Sequence, residues 1–251
     1  MSQHTFGAEL RDFWRFLLAP RVGPRLPGRS GEPAWIADWR LNGSWLRLFA
    51  WVACLWAVNL LVLGPMALGA ASAGGATHRI DINNLPVLTA ALWAPLVEEL
   101  LFRYGLRRPL QALWLVPVMI AVVLSGPQLW TGLTVMAALL LCLHLSRTGR
   151  RFGAAGWRWR RRYIRAFGVV FHLSVVAFAV VHLINYKNLA GMSPLLGLLL
   201  VLPQWVTGLV VGWMRVRRGV GAAIAMHAMF NGGPVLLIWG LLQVLGPEAL
   251  A

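Results

Sequence analysis

Between Trp45 and Leu245 the chain is a succession of apolar runs, separated by short breaks rich in arginine or in glycine and proline. A helix needs about 20 apolar residues to cross the ~30 Å hydrocarbon core of a bilayer. The runs are Trp45–Ala70, Leu85–Leu106, Leu110–Leu124, Leu129–Leu145, Ala166–Tyr186, Pro194–Met214 and Val220–Leu245, the last interrupted by Gly232-Gly233-Pro234. The third is short, ends at the Gly126-Pro127 turn signal and is compatible with a re-entrant segment. These runs predict an all-α polytopic membrane protein of about seven spans, with six to eight allowed. Composition agrees, with 12% charged residues against about 25% in a soluble domain. The expected organisation is a segment over 1–44 followed by one membrane domain over 45–251.

Charge sets the expected orientation. The net charge is +15, and all but one of the 23 basic residues are arginine, the exception being Lys187. The arginines concentrate in the N-terminal segment, at Arg107-Arg108, between Arg147 and Arg165, and at Arg215, Arg217 and Arg218. With seven spans these breaks fall on one side, and Arg79 and Lys187 on the other. Basic loops stay cytoplasmic, so the N-terminus is expected inside. Confinement to short loops argues against nucleic acid as a partner, and the 147–165 loop is expected to meet anionic lipid. No cleavable signal peptide is read at the N-terminus, where Glu9, Arg11, Asp12 and Arg15 crowd the first turns. Phe13, Trp14, Phe16, Leu17 and Leu18 suit a short amphipathic helix at the membrane surface, or an unstructured tail. Cys54 and Cys142 lie in apolar runs and read as small buried residues.

The second run contains Ala94-Pro95-Leu96-Val97-Glu98-Glu99-Leu100-Leu101-Phe102-Arg103. The chain has eight acidic residues, and two stand side by side here. An ionisable group at mid-bilayer is costly, about 2.5–3.5 kcal/mol on insertion scales, and marks function. On a helix Glu99 and Arg103 are i and i+4 and face each other, whereas Glu98 points elsewhere. Pro95 is expected to loosen the turn ahead of the carboxylates. Candidate partners for Glu98 lie on other runs. His182 shares a helical face with Phe178 and Asn185, and His227 shares one with Asn231. Intramembrane polar groups face the bundle interior, so three helices would enclose a polar cavity. His78, His144 and His172 read as structural.

In this order, Glu98-Glu99-x-x-x-Arg103, Phe178-x-x-x-His182 and His227-x-x-x-Asn231 resemble the three motifs of the CPBP family. These are intramembrane glutamic endopeptidases related to type II CAAX prenyl proteases and to Abi bacteriocin-processing proteins. The resemblance covers about residues 88–235. The chain departs from the pattern at Tyr104, which stands where the family often has glycine after the arginine, a change expected to alter packing and not chemistry. The resemblance implies that Glu98 is the general base for water, that His182 helps hold that water, and that His227 and Asn231 donate to the oxyanion. It also implies that Glu99 and Arg103 orient Glu98, and that no metal or other cofactor is needed. Two histidines and two glutamates would alternatively suit Zn²⁺, although the helical His-Glu-x-x-His spacing is absent. A non-enzymatic transporter or scaffold with a buried charged network is the other alternative. Near-exclusive arginine use suggests a GC-rich bacterial genome. The expected setting is thus a bacterial inner membrane, with a leader peptide, secreted signalling peptide or membrane-protein segment as substrate.

Overall fold

A computed structural model describes residues 5–26, 35–41, 44–81, 84–147 and 154–245. Among these, five helices are long and apolar enough to cross a membrane: Trp45–Gly74, Leu129–Arg147, Arg158–Asn185, Pro194–Arg217 and Val220–Leu245. The protein is an all-α polytopic membrane protein. The first of these helices comprises α3 (Trp45–Val58), a π turn and α4 (Gly64–Gly74). Two further apolar runs, counted among the seven expected spans, do not form helices of that length. Helix α6 (Pro109–Ser125) has 17 residues, about 25 Å of rise, short of a full hydrocarbon core. The run carrying the glutamates is α5 (Ala94–Glu98) between two π turns, Thr89–Trp93 and Glu99–Arg103. The other long helices are α7 (Leu129–Arg147), α8 (Ala154–Val181), α9 (Pro194–Arg217) and α10 (Val220–Leu245).

Two of the π turns have one cause. The turn Asn59–Leu63 precedes Pro65, and the turn Thr89–Trp93 precedes Pro95. A proline removes the N–H that would reach back four residues, and its ring presses on that carbonyl. Widening the preceding turn by one residue relieves both, so Ala94 N–H bonds to the Thr89 carbonyl, five residues back. Pro95 therefore loosens the turn ahead of the carboxylates, as its position predicts. At Gly232-Gly233-Pro234 the expected interruption is absent: α10 runs through it. Pro234 leaves the Phe230 carbonyl without its helical donor, and the Trp56 indole N–H from α3 donates to that carbonyl at 3.0 Å. A tertiary hydrogen bond thus replaces the missing helical one.

Helix α9 is the centre of the bundle, with every residue from Thr207 to Arg217 buried. It packs on α4, α8 and α10. Gly208 lets α8 approach closely, because a Cβ there would stand 3.1 Å from both Phe178 and Val175 side chains. Small residues at helix contacts serve this purpose in membrane bundles. At the end opposite the basic turns, strands β1 (Thr77–His78) and β2 (Tyr186–Lys187) pair antiparallel and tie the ends of α4 and α8 together.

Helix α8 begins much earlier than the apolar run suggests. Of the 147–165 stretch read as a loop, residues 148–153 lie outside the described residues, and the remainder from Ala154 is helical. Arginine is a good helix former, so the apolar helix propagates backward through the basic stretch. Trp159 stacks on Tyr163, four residues on, with ring centroids 5.6 Å apart.

The N-terminal segment is built into the bundle's basic end. Helix α1 (Phe6–Leu18) is capped by Thr5 and buries Phe13 and Phe16 among Trp51, Phe171 and Trp213. Its Glu9, 1% exposed, pairs with Arg218 and accepts from the Trp51 indole. Asp12 pairs with Arg217 at 2.8 Å and accepts from the Trp213 indole at 2.8 Å. A one-turn helix, α2 (Trp35–Trp39), buries Asp38 beside Arg215 at 2.9 Å. Buried charges must be paired, and the acids that pair the α9–α10 turn come from the first 44 residues.

Candidate active site

The glutamate helix reaches its chemistry through the π turn Glu99–Arg103, which Tyr104 N–H closes onto the Glu99 carbonyl. Widening brings residues four apart nearly into line, and Glu99 forms an ion pair with Arg103. Both are buried, Glu99 at 0% and Arg103 at 0% exposure. Glu99 also accepts from His227 Nδ1 at 2.9 Å. Glu98 stands on another face, with its side chain 18% exposed and Oε2 3.7 Å from His227 Nε2. That oxygen is buried and hydrogen-bonds to no described residue.

Helix α8 contributes Phe178 and His182. The Arg103 guanidinium carbon lies 3.9 Å from the Phe178 ring centroid, a close cation–π contact. The Phe178 carbonyl also binds His182 Nδ1 at 2.7 Å. A carbonyl only accepts, so Nδ1 carries the proton, and Nε2 of the neutral ring is left as an acceptor. The α-helix ends at Val181, and His182–Asn185 continues as a 3₁₀ turn. Residues three apart eclipse in such a turn, so Asn185 does share the His182 face, although its carbonyl accepts from Arg79 N–H at 2.8 Å near the strand pair. The His182 ring meets the Phe178 ring edge-on, with centroids 4.6 Å apart.

Helix α10 contributes His227, 1% exposed. Its ring bridges the two glutamates and meets Phe178 edge-on, with centroids 5.8 Å apart. Asn231 follows one turn further along the same face, at the level where Gly232 packs on Ala91. The structure therefore gathers Glu98, Glu99, Arg103, Phe178, His182 and His227 from three separate stretches of the chain. Asn231 and Asn185 lie one turn or more beyond them. His172, read as structural, binds the Leu17 carbonyl at 3.2 Å.

Chemically, this is a carboxylate paired through Oε1 with Arg103 and His227 beside a second, partly exposed one that has the His227 imidazole 3.7 Å away. The description "Type II CAAX prenyl endopeptidase Rce1-like" matches residues 82–233 of the chain. The chain belongs to that family. Rce1-like proteins are a protease family, which supports a peptidase activity for this member, and all six gathered residues fall inside the matched range. No curated protein and no solved structure gave a match. Among the described residues no group of three or more His, Cys, Asp or Glu is arranged to hold a metal ion; the Glu99 carboxylate is taken up by Arg103 and His227.

Sequence reasoning assigned Tyr104 to packing and Arg215 to topology, and named no partner for either. The Tyr104 hydroxyl accepts the Trp35 indole N–H at 2.9 Å and donates to Gln111 at 2.6 Å. The residue that departs from the family pattern thus anchors α2. Arg215 donates to the carbonyls of Arg103 and Tyr104 at 3.2 and 3.1 Å. The signal for Arg215 was present in the sequence as an arginine in the same turn as Arg217 and Arg218, but it reads there as topology.

Proposed function

We propose that this Rce1-like protein is an intramembrane endopeptidase in which Glu98 activates water against a peptide bond of a membrane-associated or lipophilic peptide. The observation that carries this reading is the division of labour between the glutamates. Glu99 is fully buried and its Oε1 is held by both Arg103 and His227, whereas Glu98 is partly exposed and hydrogen-bonds to neither; the Oε2 atoms of both are buried without a hydrogen-bond partner among the described residues. Glu98 takes the proton as water attacks the carbonyl carbon. His182, its Nδ1 proton held by the Phe178 carbonyl, accepts a hydrogen bond from that water at Nε2.

The developing oxyanion is met by donors from α10. His227 donates a hydrogen bond from Nδ1 to Glu99, so Nε2 donates as well when the ring carries both protons. Asn231 supplies a carboxamide N–H one turn further out. A preorganised donor of this kind contributes about 3–4 kcal/mol in the transition state. No covalent intermediate is required, since no serine or cysteine joins the gathered residues.

We place the basic end, with α1 and the Arg215–Arg218 turn, in the cytoplasm of a bacterial cell. A leader peptide, signalling peptide or membrane-protein segment is then the substrate, and the exposed arginines of α8 face anionic lipid. The deciding experiment reconstitutes wild type, Glu98→Gln and His182→Ala in liposomes with a quenched-fluorescence peptide library bearing hydrophobic anchors. Both variants should insert, elute as folded species and lose cleavage. Turnover by Glu98→Gln at the wild-type rate would remove Glu98 from the mechanism.

A further inference from the structure

The C-terminal end of the glutamate helix lies inside the protein, where its last carbonyls take side-chain donors beyond the backbone N–H groups of the following turn. Two side chains supply them. Tyr163 of α8 donates to the Leu106 carbonyl at 2.9 Å. Arg215 of α9 sets Nε on the Arg103 carbonyl and Nη2 on the Tyr104 carbonyl. A cation at a helix C-terminus is favoured by the backbone dipoles as well as by these bonds. Arg215 is itself 0% exposed, so it needs a counterion, and Asp38 provides one at 2.9 Å.

Asp38 belongs to α2, which is held from several sides. Trp35 bonds the Tyr104 hydroxyl, Arg25 and Arg108 also reach Asp38, and the Trp39 carbonyl presses on Gly221 at the start of α10. A Cβ at Gly221 would lie 2.0 Å from that carbonyl oxygen, so any other residue would lift α2 away. One path therefore runs from Asp38 through Arg215 to the carbonyl of Arg103, whose side chain pairs with Glu99 next to Glu98.

We propose that Asp38 and Arg215 are positioning residues for the glutamate turn. The N-terminal segment, outside the 82–233 family match, thereby sets the aim of Glu98. The proposal rests on the reading of Glu98 as the base. Arg215 acts as a clamp with three arms, two on the backbone of the turn and one on Asp38. Without Asp38 its charge is drawn toward other acids, the two carbonyls are released, and the turn beside Glu98 drifts. A displacement of about 1 Å at a reacting group can lower turnover about 100-fold.

The test compares Asp38→Asn, Asp38→Glu, Arg215→Lys and Glu9→Gln in liposomes, reading kcat, KM and Tm on the same preparations. Glu9 is the control: it is an equally buried acid that pairs with Arg218 and not with Arg215. Asp38→Asn should lower kcat about 10–100-fold with KM unchanged, and Asp38→Glu should restore most of it. Arg215→Lys, with one donor head for two carbonyls, should lie between. Glu9→Gln should lower Tm but leave kcat per folded molecule intact. Equal effects of Asp38→Asn and Glu9→Gln on kcat per folded molecule would overturn the proposal, as would a wild-type kcat for Asp38→Asn. Where Asp38→Asn misfolds outright, Arg215→Lys carries the same comparison. Activity in Glu98→Gln would sink the underlying reading instead, so the two failures are separable.

Discussion

Replacing Glu99 by glutamine keeps the shape of the site and removes one charge. Arg103 is then left 0% exposed with no carboxylate against it. Breaking a buried pair from one side is destabilising by about 3–5 kcal/mol, because the remaining ion is desolvated without compensation. The cation–π contact with Phe178 persists but contributes about 2 kcal/mol at most, too little to substitute. The expected result is a loss of about two to three and a half powers of ten in the folding constant, read by reversible unfolding in mixed micelles. Adding Arg103→Met should recover a large part of it, since an apolar pair of similar volume often equals or exceeds an ion pair in stability. Neither variant should cleave peptide at the wild-type rate, because both replace the charged acceptor of His227 Nδ1 by a neutral carboxamide. A Glu99→Gln protein within about 1 kcal/mol of wild type would show that Arg103 keeps its charge by other means. The orienting role assigned to the pair would then fall.

Other outcomes follow from single contacts. Trp56→Phe removes the donor to the Phe230 carbonyl and should destabilise the fold by about 1–3 kcal/mol, measurable by Tm, with faster amide exchange confined to residues near Pro234. Strong chelators should leave cleavage unchanged in metal-free buffer; loss of activity with recovery on adding Zn²⁺ would replace the glutamate mechanism by a metal-assisted one. His78, in β1, accepts the Ile80 N–H at Nδ1 over 3.1 Å, and burial lowers its pKa from the ordinary 6.5. The fold thus favours the neutral ring. Its contribution is present above pH 6.5 and is lost as pH falls through the lowered value. Protection factors of the Thr77 and Tyr186 amides, corrected for the intrinsic pH dependence of exchange, should fall on acidification and stay level in His78→Gln; an equal fall in both would assign the effect elsewhere.

Much of this was legible in the sequence because its signals are local. Apolar runs predict the all-α polytopic class and five of the seven expected spans, and proline spacing predicts the loosened turn before Glu98. The four-residue spacing from Glu99 to Arg103 predicts their pairing. The remainder depends on contacts between distant stretches, which periodicity does not record. Glu9, Asp12 and Asp38 look like ordinary surface acids until Arg215, Arg217 and Arg218 are brought beside them. Gly232-Gly233-Pro234 looks like a break until Trp56 supplies the missing donor. The early start of α8 had a different origin: hydropathy marks where a helix meets lipid, not where it begins.

Phe178 touches more of the site than any motif spacing suggests. Its ring lies over Arg103 and meets Phe102, His182 and His227, and its carbonyl fixes the His182 tautomer. Residues that share a partner do not vary independently. Substitutions at 103, 182 and 227 should therefore combine non-additively, each reading partly the same displaced ring, and a change at 178 should alter the effect of all three. The family's three motifs are, in this chain, one epistatic unit with an aromatic side chain at its hub.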